Sequence, residues 1–203
     1  MNDSPPDHTL AELWHRRLCP VNDWLFLSGD LHPFRPQAAM QIEQWRAARI
    51  TGVIDAREEW TDEELVAELA PELRYWHLGT HDNGGRQDDS WFDDGLRAYR
   101  EAIAEPAARL LVHCHMGINR GPSLGYRFLL EAGDDPIAAL EAIRRARPIA
   151  GIGYAGDALD HYHRAIHVSA AARNRDRARL DAWMAGNGID LRTLIRRIRE
   201  NVV

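Results

Sequence analysis

An α/β fold is predicted for this chain, with a central, mostly parallel sheet of four to five strands, helices on both faces and a C-terminal helical extension. Three observations predict it. Short runs rich in Val, Ile and Leu alternate with longer segments whose apolar residues recur at helical spacing. Runs such as RLLVHC and ITGVIDA are nearly continuous in apolar residues, as strands covered on both faces must be. Beyond residue 165 the strand-like runs stop and an arginine-rich helical stretch takes over.

The elements follow in order. Leu10, Leu13, Trp14 and Leu18 fall at helical spacing, and Cys19-Pro20 closes that helix. DWLFLSG reads as a strand ended by glycine, and PQAAMQIEQWRAARI as a helix that offers Met40, Ile42, Trp45 and Ala48 for burial. ITGVIDA is the second strand. Thr61, with Glu64 three residues on, is a capping-box signature for TDEELVAELA, and AREEWTDEE reads as a solvated helix start. LRYWHLG is the third strand, leading into the polar loop THDNGGRQDD. Ser90 heads the next helix, whose buried face is Phe92, Leu96, Tyr99 and Ile103, with Asp93 in the capping-box position. Pro106 ends it, and RLLVHC is the fourth strand. Pro122 falls where a first helical turn tolerates proline, so GPSLGYRFLLEAG is a helix, and DPIAALEAIRRARP is another. The tail is helical and broken at Gly186-Asn187-Gly188. Its stripe of Leu191, Leu194, Ile195 and Ile198 suits capping the domain, packing in a homodimer, or binding a partner.

Composition narrows the function classes. With 203 residues, 45% of them hydrophobic, the chain can bury one core of ordinary size. A net charge of −6 with 28% charged residues fits neither a disordered tail nor a basic nucleic-acid binder, so no nucleic-acid partner is expected. No run approaches the roughly 18 apolar residues of a membrane span, and the polar opening MNDSPPDHTL is unlike a secretory signal. Two cysteines, Cys19 and Cys114, build no disulfide framework and suit a reducing cytoplasm; Cys19, ahead of a proline, reads as structural. All 25 basic residues are arginine, which weakens any single arginine as a clue.

The chemistry concentrates in LLVHCHMGINRGPS, residues 110–123. Cys114 ends an apolar strand, and so lies at the carboxyl end of a parallel sheet, where ligands bind in open α/β folds. The loop then enters a helix N-terminus, whose unpaired N–H groups and dipole favour an anion. Gly117 permits the turn that aims successive amides inward. Such a setting favours a thiolate, the nucleophilic form of cysteine. Arg120 supplies a fork for two phosphate oxygens, and His113 is placed to orient the loop and hydrogen-bond the sulfur.

His113-Cys114, five intervening residues and Arg120, preceded by LLV, resemble the signature loop of cysteine-dependent protein tyrosine phosphatases, and MGINRGPS is most similar to the dual-specificity branch. The order of WLFLSGDL, RAARITGVIDAREE and AIRRARPIAGIGYAGDALDHY extends the resemblance over residues 22–165, leaving 1–21 as a helical lead-in and 166–203 as a helical extension. The resemblance implies a metal-independent hydrolase without cofactor. Its Cys114 forms a phosphocysteine and its residues His115, Met116, Gly117, Ile118, Asn119 and Arg120 cradle the phosphoryl group. The substrates implied are phosphotyrosine, and phosphoserine or phosphothreonine, in proteins; a small phosphomonoester stays open. The general acid it implies, in the loop after the third strand, falls at Asp82, with Asp88 and Asp89 as alternatives. Asp55 and Arg57 point to the same sheet edge in a supporting role.

One departure stands out. The residue after the arginine is Gly121, where the family usually has a hydroxyl that helps cysteine leave the phosphoenzyme; Ser123 is the nearest substitute. A phosphate-binding module that does not turn over is therefore one alternative. GVIDAREEW also resembles the start of a rhodanese-like sulfurtransferase, the other. His115 is either an exposed spacer or a shaper of substrate choice. His161 and His163, without a carboxylate or cysteine cluster in the sequence, read as surface histidines rather than metal ligands.

Overall fold

In the computed structural model, which describes residues 14–200, five strands form one sheet. They are β1 (Cys19–Pro20), β2 (Leu25–Ser28), β3 (Gly52–Arg57), β4 (Arg74–Thr80) and β5 (Leu110–His113). Their order is β1-β2-β5-β3-β4, with every pair parallel except the antiparallel edge pair β1 and β2. Consequently β2, β5, β3 and β4 all deliver their carboxyl ends to one edge, with β5 central.

Two apolar layers enclose the sheet, and side-chain alternation sorts residues between them. Leu25, Leu27, Ile54, Leu110 and Val112 face one layer; Phe26, Val53 and Leu111 face the other. The first is the larger. It takes Phe92, Leu96 and Tyr99 from α3 (Asp89–Ile103), Leu124 and Phe128 from α4 (Arg120–Glu131), Leu140 from α5 (Pro136–Ala146) and Leu159 from α6 (Ala155–Ala165). The second is closed by Ile42 and Trp45 of α1 (Arg35–Ala47) and Val66 of α2 (Glu63–Leu69). Gly95 lets α3 approach α4 closely, because a Cβ there would stand 2.5 Å from a Leu124 methyl. Leu180 of α7 (Ala170–Gly186) joins the larger layer, so α7 packs on the body of the fold. Gly186 ends it, and α8 (Leu191–Glu200) follows. No helix among the described residues is long and apolar enough to cross a membrane.

Several local expectations are corrected. Leu10 and Leu13 lie outside the described residues, and the expected first helix survives only as a 3-10 turn at Trp14–Arg16. The carbonyls of His15 and Arg17, which a longer helix would use, accept from Arg147, and Cys19-Pro20 pairs with β2. In α1, Met40 is exposed and Ala48 half-buried, whereas Gln37 and Gln41 are buried; Gln41 accepts from the His32 N–H at 2.7 Å. The Thr61 capping box does not form, because Thr61 Oγ1 accepts from Glu63 at 3.1 Å and α2 starts there. Likewise α3 starts at Asp89, Ser90 caps nothing, and Ile103 is exposed.

His161 and His163 are buried rather than superficial. His161 accepts from Arg127 of α4 and meets Asp93 of α3, while His163 meets Asp176 of α7. Both thus tie α6 to its neighbours.

Phe92 is fully buried against this layer, edge to Trp91 and His161. Phe92→Ala should cost ~3–5 kcal/mol, read as a lower urea midpoint at unchanged m.

Candidate active site

Cys114 follows directly on β5 and α4 begins at Arg120, so the intervening loop spans the central gap of the carboxyl edge. Every carbonyl from His115 to Asn119 is turned outward and bonded. His115 O accepts from Asp30 N at 3.1 Å, Ile118 O from Gly151 N at 2.7 Å and Asn119 O from Ser123 N at 2.9 Å. Met116 O and Gly117 O accept from Arg147 at 2.9 and 2.6 Å. Peptide planarity then turns the following N–H groups the opposite way. None of the N–H groups of residues 115–119 donates to a backbone or side-chain acceptor among the described residues. Buried backbone donors are almost always paired, so a loop in this state is arranged for an acceptor from outside.

Arg147 is the clasp, and sequence reasoning missed it. It is 1% exposed and also donates to Arg17 O at 3.2 Å and to Cys19 Sγ at 3.4 Å. Burial lowers its pKa, opposed by the nearby sulfurs of Cys19 and Cys114. Gly117 has φ +61° and lies so close to this guanidinium that a Cβ would stand 2.3 Å from Arg147 and from Ser28 O. Any side chain at 117 would displace the clasp.

The nucleophile candidate opens into a cavity of about 500 Å³, shared with Glu59, Asp82, Asn119 and Arg120. Arg120 is buried, donates to Thr80 O at 3.0 Å, and is gripped by both oxygens of Glu59 at 2.7 and 2.9 Å. Burial works against its charge, yet Glu59, Cys114 and Asp82 together raise its pKa. Glu59 corrects the reading of AREEWTDEE as merely solvated. Partial burial pushes its carboxyl up, but Arg120 holds it below the usual range. A bulge in β4 brings Thr80 here: Asp55 pairs with His77 and Arg57 with Thr80, with Gly79 packed where a Cβ would strike Arg57 O at 2.5 Å.

Of the candidate acids, Asp82 alone lines this cavity. Its Oδ1 accepts from Asn119 at 2.6 Å and Tyr154 OH at 2.8 Å, and its Oδ2 lies 3.5 Å from Arg120 Nε. Asp88 precedes α3, and Asp89 pairs with Arg164 and Arg86. Asn119 also accepts from Gly153 N at 2.6 Å, so it braces the loop of Asp82 against the loop of residues 115–119.

Beneath the loop lies a buried ion network. Arg57 donates to both oxygens of Asp55 at 2.8 and 2.6 Å, and reaches Asp62 at 2.8 Å and Asp30 at 3.1 Å. Asp30 also pairs with Arg16 and accepts from His115 at 2.9 Å. His115 is thus a half-buried member of the network, edge-on to Trp60. Asp55, Asp62 and His113 offer atoms within 4.8 Å of one another, a spacing a cation could use, but the Arg57 guanidinium already answers both carboxylates. Burial pushes the Asp55 carboxyl up, while His113 and Arg57 pull it far below the usual carboxylate range. Burial pushes His15 down to about 4, with Arg16 beside it adding to the effect.

Two expected roles fail. His113 makes no hydrogen bond with either ring nitrogen among the described residues; its ring lies by Trp45 and 3.9 Å from Asp55, because adjacent strand residues face opposite ways. Ser123 Oγ accepts from Tyr154 N at 3.1 Å and makes no bond to the thiol. Gly121 packs on the nucleophile's own backbone, where a Cβ would stand 3.1 Å from the His113 carbonyl carbon.

No protein-family model matches the chain, and no curated protein matches it. Solved structures do. A mouse putative dual specificity phosphatase complexed with zinc tungstate is 17% identical at TM-score 0.59, covering 80% of this chain and 91% of that one. Human DUSP28 is 20% identical at 0.58, covering 74% and 95%. PTPMT1 is 18% identical at 0.58, covering 82% and 99%. The fold is therefore that of dual-specificity and protein tyrosine phosphatase-type structures.

Two outcomes follow from the geometry. Arg147→Met should weaken binding of inorganic phosphate about tenfold or more by calorimetry, because the loop's carbonyls lose their partner. In acid, the unfolded chain binds protons that folded His15 and Asp55 refuse, between pH 6.5 and about 4 for His15 and below the usual carboxylate range for Asp55. The stability each contributes is full above its unfolded pKa and lost as pH falls, so Tm should drop between pH 7 and pH 4 through His15 and drop further below pH 4 through Asp55. Asp55→Asn should be ~3–5 kcal/mol less stable at neutral pH but show a flatter acid limb; a limb parallel to wild type would contradict the assignment.

Proposed function

We propose that this chain is a metal-independent phosphoric monoester hydrolase that works through a phosphocysteine intermediate. The observation that carries the reading is the loop itself: five consecutive carbonyls bonded outward around a cysteine, with Arg120 and Asp82 in the same cavity. A phosphoryl group fits the inward N–H groups, and Arg120 exchanges the two oxygens of Glu59 for two phosphoryl oxygens. Cys114 attacks phosphorus as the ester bond to the leaving oxygen breaks. The departing oxygen needs a proton, and Asp82 supplies it. Two donors occupy its Oδ1, so Oδ2 is the oxygen that carries the proton. Asp82 then takes a proton from the water that cleaves the phosphocysteine, releasing phosphate. The substrates this reading covers are phosphotyrosine, phosphoserine or phosphothreonine in proteins, and small phosphomonoesters.

Gly121 favours a second reading, a module that binds or traps the phosphoryl group without turning it over. No hydroxyl hydrogen-bonds the Cys114 thiol among the described residues, and Ser123 Oγ accepts from Tyr154 N. The sulfurtransferase alternative would need Cys114 but not Asp82, with thiosulfate as donor.

With p-nitrophenyl phosphate in chelator, Cys114→Ser should abolish turnover, and Asp82→Asn should lower kcat by about 10²–10⁴ and remove the alkaline limb of the pH–rate profile. Wild type should show a burst stoichiometric with enzyme, because hydrolysis of the intermediate is the slow step. A burst with no subsequent turnover would move the assignment to the trapping module, and no reaction at all would remove it.

A further inference from the structure

The last helix forms part of the same cavity. Leu191, Ile195 and Arg199 line it together with Cys114, Met116 and Ile118. These three α8 residues are four apart, so they form one stripe along the helix. Ile198, on the adjoining seam, is buried; Leu191 and the four arginines Arg192, Arg196, Arg197 and Arg199 are exposed, and of these arginines it is Arg199 that lines the cavity.

α8 is held in this position by specific contacts. Arg144 donates to Asn187 O at 2.8 Å and lies over the Trp183 ring, fixing the turn between α7 and α8. Asp190 caps α8 through the Thr193 N–H at 3.1 Å. Leu191 comes down over Gly151, where a Cβ would stand 3.5 Å from its methyl and 3.4 Å from Ile118.

The charges in the cavity are unevenly matched. Arg120 is answered by Glu59 and Asp82, but Arg199 has no hydrogen-bond or ion-pair partner among the described residues. Leu191 and Arg199 are two turns apart, roughly 12 Å along the helix axis. A volume of about 500 Å³ falls within the range of small-molecule sites.

We propose that α8 is the substrate-selecting wall of this site, and that Arg199 takes a second anionic group on a small phosphomonoester whose apolar body packs on Leu191 and Ile195. This rests on the hydrolase reading for the site's first anion, the phosphoryl group at Arg120. The second anion is recognised at the opposite end of the substrate from the ester bond.

The test compares phenyl phosphate with (phosphonooxy)phenylacetate carrying its acetate para to the ester, a pair alike at the reacting bond and different only in a remote carboxylate. Binding to full-length Cys114→Ser is measured by titration calorimetry. The carboxylate ligand should bind about tenfold tighter, the effect of one charge-assisted contact. That advantage should vanish in Cys114→Ser/Arg199→Gln and persist in Cys114→Ser/Arg197→Gln, whose substituted arginine faces solvent. Equal affinities, or an advantage that survives Arg199→Gln, would overturn the proposal. Wild-type turnover of phenyl phosphate is scored separately: its failure beside a tenfold preference removes the hydrolase reading and leaves the second-anion site standing.

Discussion

The structure depends on one constraint: consecutive residues of a short loop must turn their N–H groups toward one point. They can do so only if their carbonyls find partners elsewhere, since a buried unpaired carbonyl costs ~1–3 kcal/mol. Those partners come from the whole fold. Asp30 N reaches from the end of β2, Gly151 N from the segment before α6, Ser123 N from α4 itself, and Arg147 from the end of α5. The peptides that follow a cysteine at the end of a central strand are held from behind by three distant segments and by the first turn of α4.

That arrangement gathers charge at the carboxyl edge, and the edge must remain neutral enough to fold. Arg147 is buried without a carboxylate partner among the described residues and is stabilised by carbonyls and a thiol. The ion network below takes the opposite course: three carboxylates, Asp30, Asp55 and Asp62, around Arg57, with Arg16 and His115 at its margin. Buried pairs contribute little net stability but are costly to break, so such a network acts by fixing geometry. It sets the height of β2 and β3 below the loop, and with it the placement of Glu59 and Asp30. Glu59 adds a different feature, a half-exposed acid on the arginine that, on the proposed hydrolase reading, an incoming phosphoryl group would take over. The free site is neutralised by a ligand that can be exchanged.

The fold was legible in the sequence because its signals are local. Continuous apolar strands alternate with helical stripes, and Cys114, Gly117 and Arg120 lie within one loop whose context spans a strand end and a helix start. Asp82 was reachable through its position after the third strand. Arg147 was not. In a chain where every basic residue is arginine, residue type carries almost no information, and the one hint was its place before Pro148 and the Gly151–Gly153 segment that packs on the loop. Glu59 was hidden in an acidic run that reads as helix start, because only the folded chain shows which acid of the run turns inward. His161 and His163 looked exposed because their partners, Arg127, Asp93 and Asp176, lie 13 to 68 residues away. The two capping boxes failed locally: Thr61 Oγ1 turns to the Glu63 N–H, and α3 begins at Asp89, one residue before Ser90.

The chain's two ends meet the site in opposite ways. Residues 14–20 support it from below, where the His15 and Arg17 carbonyls and the Cys19 thiol complete the coordination of Arg147. Residues 191–199 close it from above with an apolar stripe and a cation, Arg199, that has no partner among the described residues. On the proposed hydrolase reading, the lower contacts concern any phosphoryl group, because they set the loop that would bind it. The upper contacts concern everything else attached to that group. On that reading chemistry and choice of substrate are written into different segments: the loop's carbonyls find their partners at Asp30, Gly151, Ser123 and Arg147, none of them in α8, which lines the cavity with Leu191, Ile195 and Arg199.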